Sequence, residues 1–239
     1  MNAHSRTAAF PLSLRALARL IAYPDAELRA HLPELREALH AERAFGARRL
    51  AELGRLIDAL ERADALECEA DYVELFDRGR STSLHLFEHV HGDSRDRGPA
   101  MIDLAQTYAQ AGLYLAEGEL PDYLPAVLEF VSTQPAREAR AFLGEMAHIL
   151  KALFSALQRR NSGYASVIGA LLELAGEKAQ AVELVPDEPL DAAWEEPPAF
   201  AGCATHGQAR PPAAQPIRFH PAARDGAAPS AALGAGAQR

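Results

Sequence analysis

Along the first 185 residues apolar positions recur at intervals of three and four, the spacing that lays one stripe along the face of an α-helix. The longest stripe is Phe142, Leu143, Met146, Ile149, Leu150, Leu153 and Leu157, with Pro135 placed to open it and Asn161-Ser162-Gly163 beyond its end. It predicts a single helix of about 25 residues, about 38 Å long. Leu50, Leu53, Leu56, Ile57 and Leu60 predict a second helix, and Leu66, Ala70, Val73 and Phe76 a third. Further helices are expected over 12–22, 25–39, 99–115, 122–131 and 162–174. Asp25, Asp122 and Ser162 are expected as N-caps, accepting from first-turn amides that have no partner inside the helix. No run alternates β-branched and polar residues, and no Asn-Gly hairpin signal occurs. The pattern therefore predicts an all-α fold, a single-domain multi-helix bundle.

Past Val185 the periodicity stops. Residues 186–239 are rich in Pro, Ala and Gly and predict a disordered C-terminal tail behind a helical domain spanning 10–185. Trp194 and Phe200 are the side chains through which the start of that tail would dock on the body.

Composition narrows the function classes. Against 24 Lys and Arg stand 33 Asp and Glu, a formal charge of −9, which argues against a partner recognised through its phosphate backbone. Cys68 and Cys203 are the two cysteines, too few for a disulfide framework, and a reducing cytoplasm is expected. The N-terminal stretch is interrupted by Pro11, Arg15 and Arg19, so no secretory signal is expected. Nor is there a run of about 18 apolar residues that would span a bilayer.

The densest chemistry is "STSLHLFEHVHGDSRDRG", Ser81 to Gly98. Within it His85-Leu86-Phe87-Glu88-His89 fits H-x-x-E-H, the pattern of a zinc peptidase helix. At about 100° per residue a helix would put His85, Glu88 and His89 on one face, with Leu84, Leu86, Phe87 and Val90 on the other. Two histidines are one ligand short of a catalytic zinc site, and nothing marks the third. The residues alone leave open a metal-dependent hydrolase built on His85, Glu88 and His89, a His-Asp phosphohydrolase, and exposed histidines with no chemical role. Gly92 is placed as the C′ residue whose left-handed conformation ends a helix. Asp93, Arg95, Asp96 and Arg97 then form a charged loop able to tie two helix ends together.

The segment from Tyr72 to Phe130, "YVELFDRGRSTSLHLFEHVHGDSRDRGPAMIDLAQTYAQAGLYLAEGELPDYLPAVLEF", closely resembles the assembly chaperones of respiratory nitrate reductase. This is the NarJ or delta subunit family, one of the TorD-like redox-enzyme maturation chaperones, and the resemblance extends over most of residues 10–185. The wider group carries a glutamate, then a proline, then an Asp-His pair; Glu117, Pro121 and Asp122 match, with Tyr123 at the histidine. The resemblance implies a helical chaperone with no catalytic residue, no metal and no cofactor. Its partner would be the apo catalytic (alpha) subunit of the reductase, bound through that subunit's N-terminal segment and held for molybdenum cofactor insertion. Neither nucleic acid nor membrane insertion is implied, and a monomer or weak dimer is expected.

An amphipathic client helix would lie in a groove between helices. Leu84, Phe87, Met101, Leu104 and Tyr108 are the expected floor. Glu88, Asp93, Glu117 and Asp122 would face basic client residues, and His89 and His91 would add pH dependence beside them. Asp77, Gly92, Arg95 and Arg97 are expected to brace the loop and groove.

Overall fold

The computed structural model describes residues 10–92 and 94–183. Trp194, Phe200, Cys203 and the expected tail lie outside the described residues, as does Asp93. In chain order the helices are α1 (Pro11–Ile21), α2 (Ala26–Ala30), α3 (Leu32–Ala41), α4 (Ala47–Arg62) and α5 (Ala65–Phe76). A short 3-10 turn at Arg80–Thr82 follows, then α6 (Leu86–Val90), α7 (Arg97–Gln110), α8 (Leu124–Thr133), α9 (Ala136–Glu145), α10 (Ala147–Arg159) and α11 (Ala165–Ala175). Among the described residues there is no β-strand, only an isolated antiparallel bridge between His85 and Tyr123. The all-α expectation is met. No helix here is long and apolar enough to cross a membrane.

α1, α8, α10 and α11 form the centre. α11 is apolar on nearly every side, and Val167, Ile168, Ala170, Leu171 and Leu172 are all buried, as expected of a helix with no solvent face. α1 lies against α8, α3 and α11; α4 and α9 close over α11 from other sides. Each fully buried Leu or Ile, such as Leu17, Leu128 or Ile168, contributes about 1.5–3 kcal/mol over leaving it in water.

Two helices expected to be continuous are broken. The 25–39 segment divides at His31, because Pro33, the second residue of α3, has no N–H for the Arg29 carbonyl and its ring crowds that oxygen. The expected helix of about 25 residues is in fact α9 and α10, hinged at Met146 (φ −85, ψ −1). There the His148 ring donates to the Glu145 carbonyl at 3.2 Å, taking an acceptor a continuous helix would use. Both halves pack on α11.

Cap assignments divide similarly. Asp25 caps α2, its Oδ1 accepting from the Leu28 amide at 2.7 Å. Ser162 instead caps the turn before α11, which begins at Ala165. Asp122 does not cap α8, whose N-cap is Tyr123. α5 is turned from its expected orientation: of the expected stripe Phe76 faces the core, together with Cys68 and Tyr72, while Leu66, Ala70 and Val73 face solvent. Both stripes have helical spacing, and the aromatic one buries more area. Tyr72 packs on Phe76 at 4.6 Å and on Tyr164 at 5.8 Å between ring centroids, and its hydroxyl donates to the Ile21 carbonyl at 2.9 Å.

Candidate functional site

The histidine stretch is not one helix. Leu84 and His85 precede α6 outside any helix, and His85 (φ −86, ψ 105), the residue on which α6 starts, is in extended backbone. Two main-chain bonds clamp this strand-like piece to the segment before α8: Leu86 N–H donates to the Asp122 carbonyl at 3.0 Å, and Leu124 N–H to the Leu84 carbonyl at 2.9 Å. His85 and His89 consequently do not share a face. The His85 Nδ1 is 3.3 Å from Asp122 Oδ1, whereas His89 Nε2 donates to the Ser83 carbonyl at 2.8 Å. The arrangement expected of a zinc helix is overturned by the extended backbone at His85. Among the described residues, no group of three or more His, Cys, Asp or Glu is placed to hold a metal ion.

Asp122 organises the site. Its side chain is 0% exposed. Its Oδ2 accepts from the Phe87 amide at 3.0 Å, so it caps α6 from 35 residues away, and that oxygen lies 3.9 Å from Arg97 Nη2. Arg97, the first residue of α7, also reaches Glu88 of α6 at 3.4 Å. One buried carboxylate thus fixes the start of α6, the ring of His85 and, with Glu88, the start of α7. A buried charge needs such donors, since removal from water without them costs several kcal/mol. The hydrogen bond to Asp122 raises the His85 pKa above its ordinary value, outweighing the opposing effect of burial. Gly92 has φ +51 in the turn after α6, a conformation that suits glycine at a helix end.

The far end of α7 is held by Tyr108, whose hydroxyl donates to the Pro121 carbonyl at 2.8 Å and whose ring packs on Phe130 at 4.8 Å. Burial pushes this phenol's pKa upward. Tyr108 is the buried residue of α7; between its anchors the helix lies over the body with little covered.

The expected floor residues therefore separate. Leu84 and Tyr108 belong to the core and back the surface instead of lining it. Phe87, Met101 and Leu104 are half-buried on α6 and α7. Among the expected acids, Asp122 is buried and already paired, Glu88 is half-buried against Arg97, and Glu117 is exposed on the α7–α8 connection. His91 packs edge-on to Phe87 at 5.4 Å. Asp77, at the end of α5, and Arg95 are exposed.

Four exposed apolar side chains in this region were not among the expected site residues: Val90, Ile102 (59% exposed), Tyr114 (84%) and Leu120. The thinness of α7 in apolar residues was the signal available for them. A stripe of Met101, Leu104 and Tyr108 leaves Ile102 no core to enter.

The family model described as nitrate reductase delta subunit matches residues 21–168. The chain is 44% identical over 195 residues to the nitrate reductase molybdenum cofactor assembly chaperone NarJ of Escherichia coli strain K12, covering 77% of this chain and 83% of that one. It is 33% identical over 164 residues to the probable chaperone of the same description from Bacillus subtilis strain 168, covering 67% and 86%. It is 40% identical over 120 residues to the nitrate reductase-like protein NarX of Mycobacterium tuberculosis strain H37Rv, covering 50% of this chain and 18% of that one.

Proposed function

The chain belongs to the nitrate reductase delta subunit family, and on that premise we propose that it binds the apo catalytic subunit of respiratory nitrate reductase through that subunit's N-terminal segment. The family is one of assembly chaperones and not of enzymes. Bound in this way, the chaperone holds the subunit ready for molybdenum cofactor insertion, delays its docking on the membrane subunit, and leaves before the enzyme is complete. It acts in the cytoplasm as a monomer or weak dimer, through a helical body spanning residues 10–185.

The observation that carries the placement of the client is the apolar surface along α6, α7 and the α7–α8 connection. Phe87, Met101 and Leu104 are half-covered there, and Val90, Ile102, Tyr114 and Leu120 are exposed. Val90, Ile102, Tyr114 and Leu120 are four of the large exposed apolar side chains of the described residues, and uncovered apolar surface bordered by polar groups is what a peptide-binding site presents. An amphipathic client helix would cover them, and Glu88, Asp103, Glu117 and Glu119 supply a carboxylate border for its basic residues. Met101 suits the role, because an unbranched thioether repacks against different partners.

The test is titration calorimetry of the full chain with a peptide copying the N-terminus of the cognate catalytic subunit. Wild type is expected to bind, and Met101→Glu and Ile102→Glu to weaken binding by tenfold or more. Equal affinity in all three proteins, or no binding by wild type, would overturn the reading.

A further inference from the structure

α5 carries a second apolar face that its own fold does not use. Leu66, Ala70 and Val73 repeat at i, i+4 and i+7, and Leu66 is 77% exposed. Tyr23, from the turn after α1, stands at the edge of this stripe. Its ring meets Tyr72 edge-on at 5.5 Å, and its hydroxyl donates to Glu69 Oε2 at 3.0 Å. A shallow cavity of about 330 Å³ lies among these side chains.

The flanks of the stripe are acidic on both sides. At about 100° per residue, Glu69 lies about 60° to one side of Leu66, and Glu74 and Glu67 lie about 80–100° to the other. From Asp64 to Asp77 the chain has six acidic residues and no basic one. Arg78 pairs with Glu74 at 2.8 Å.

We infer that this face of α5 is a docking site for a basic amphipathic helix presented by a protein partner, separate from the α6–α7 surface and not dependent on it. Three apolar positions over two turns match one face of an incoming helix, and carboxylates along both flanks match Lys or Arg bordering that helix's apolar side. A second copy of this chain is the wrong occupant, because two-fold pairing would set each acidic flank against its own equivalent. An anionic membrane surface would repel the same carboxylates.

The probe is a fluorescein-labelled, 18-residue peptide with Leu at i, i+4, i+7 and i+11 and Lys on both sides, titrated by anisotropy against the full chain carrying Ile102→Glu, which weakens the α6–α7 surface as a competing site. A scrambled peptide of equal composition is the control. The expected result is binding of the patterned peptide only, with Kd raised tenfold or more by Leu66→Ser/Val73→Ser and by Glu67→Lys/Glu74→Lys. All these side chains are on the surface, and circular dichroism checks that each variant keeps its helix content.

Any of three results overturns the inference: no binding in the Ile102→Glu background, equal binding of the scrambled peptide, or unchanged Kd when the α5 substitutions are added to it. Self-association in sedimentation that disappears with Leu66→Ser/Val73→Ser would assign the face to a second copy instead.

Discussion

Asp122 shows what a single residue contributes here. Its carboxylate is buried, accepts from the Phe87 amide and the His85 ring, and lies 3.9 Å from the Arg97 guanidinium as an ion pair. Replacing it by Ala strands these donors, and urea denaturation of Asp122→Ala is expected to show a loss of about 2–4 kcal/mol. A change below about 0.5 kcal/mol, the ordinary surface range, would mean that water replaces the carboxylate freely. His85 gives the pH signature of the same pair. Its folded-state pKa is raised by Asp122, so the stability it adds is fully present below the unfolded value of about 6.5 and is lost as pH rises through the folded value. Wild type should therefore exceed His85→Gln in stability most at acid pH, with the gap closing toward alkaline pH; a gap constant with pH would remove the protonated histidine from the account. Sequence alone could not assign this pair. Asp122 reads as the cap of the apolar run that follows it, and nothing in linear order announces that it caps a helix starting 36 residues earlier.

At the scale of elements, periodicity located the helices well and their breaks poorly. Pro33 was a legible stop signal inside the 25–39 run; the hinge at Met146 rests on a His148 side chain taking a carbonyl, a contact that spacing does not reveal. The α5 stripe failed for a different reason. Two apolar sets share its helical spacing, and only the aromatic partners supplied by Tyr164 and the Ile21 carbonyl decide which faces inward. α7 was legible as a helix, but its anchoring at two ends was not. That anchoring makes a contrast: Tyr108→Ala should cost about 3–5 kcal/mol, whereas Ile102→Glu, on the exposed side, should stay within about 0.5 kcal/mol. Chemical denaturation of both variants checks it. A large loss in Ile102→Glu would show that Ile102 packs into the body and is not available to a client.

Across the whole molecule, burial is uneven in a way that suits the proposed role. The centre formed by α1, α8, α10 and α11 is densely apolar, while α6 and α7 sit at its edge with one fully buried side chain each, Leu86 and Tyr108. Local opening is easiest where few apolar contacts resist it, so the proposed client surface lies on the part of the fold best able to adjust to a guest. The net charge of −9 speeds encounter with a basic segment and weakens as salt screens it. The most direct test of client binding at α6–α7 is hydrogen–deuterium exchange of the full chain, alone and with the apo catalytic subunit of the reductase. Exchange should slow across residues 86–110 in the complex. A stable complex that leaves those amides exchanging at their free rate would contradict the account.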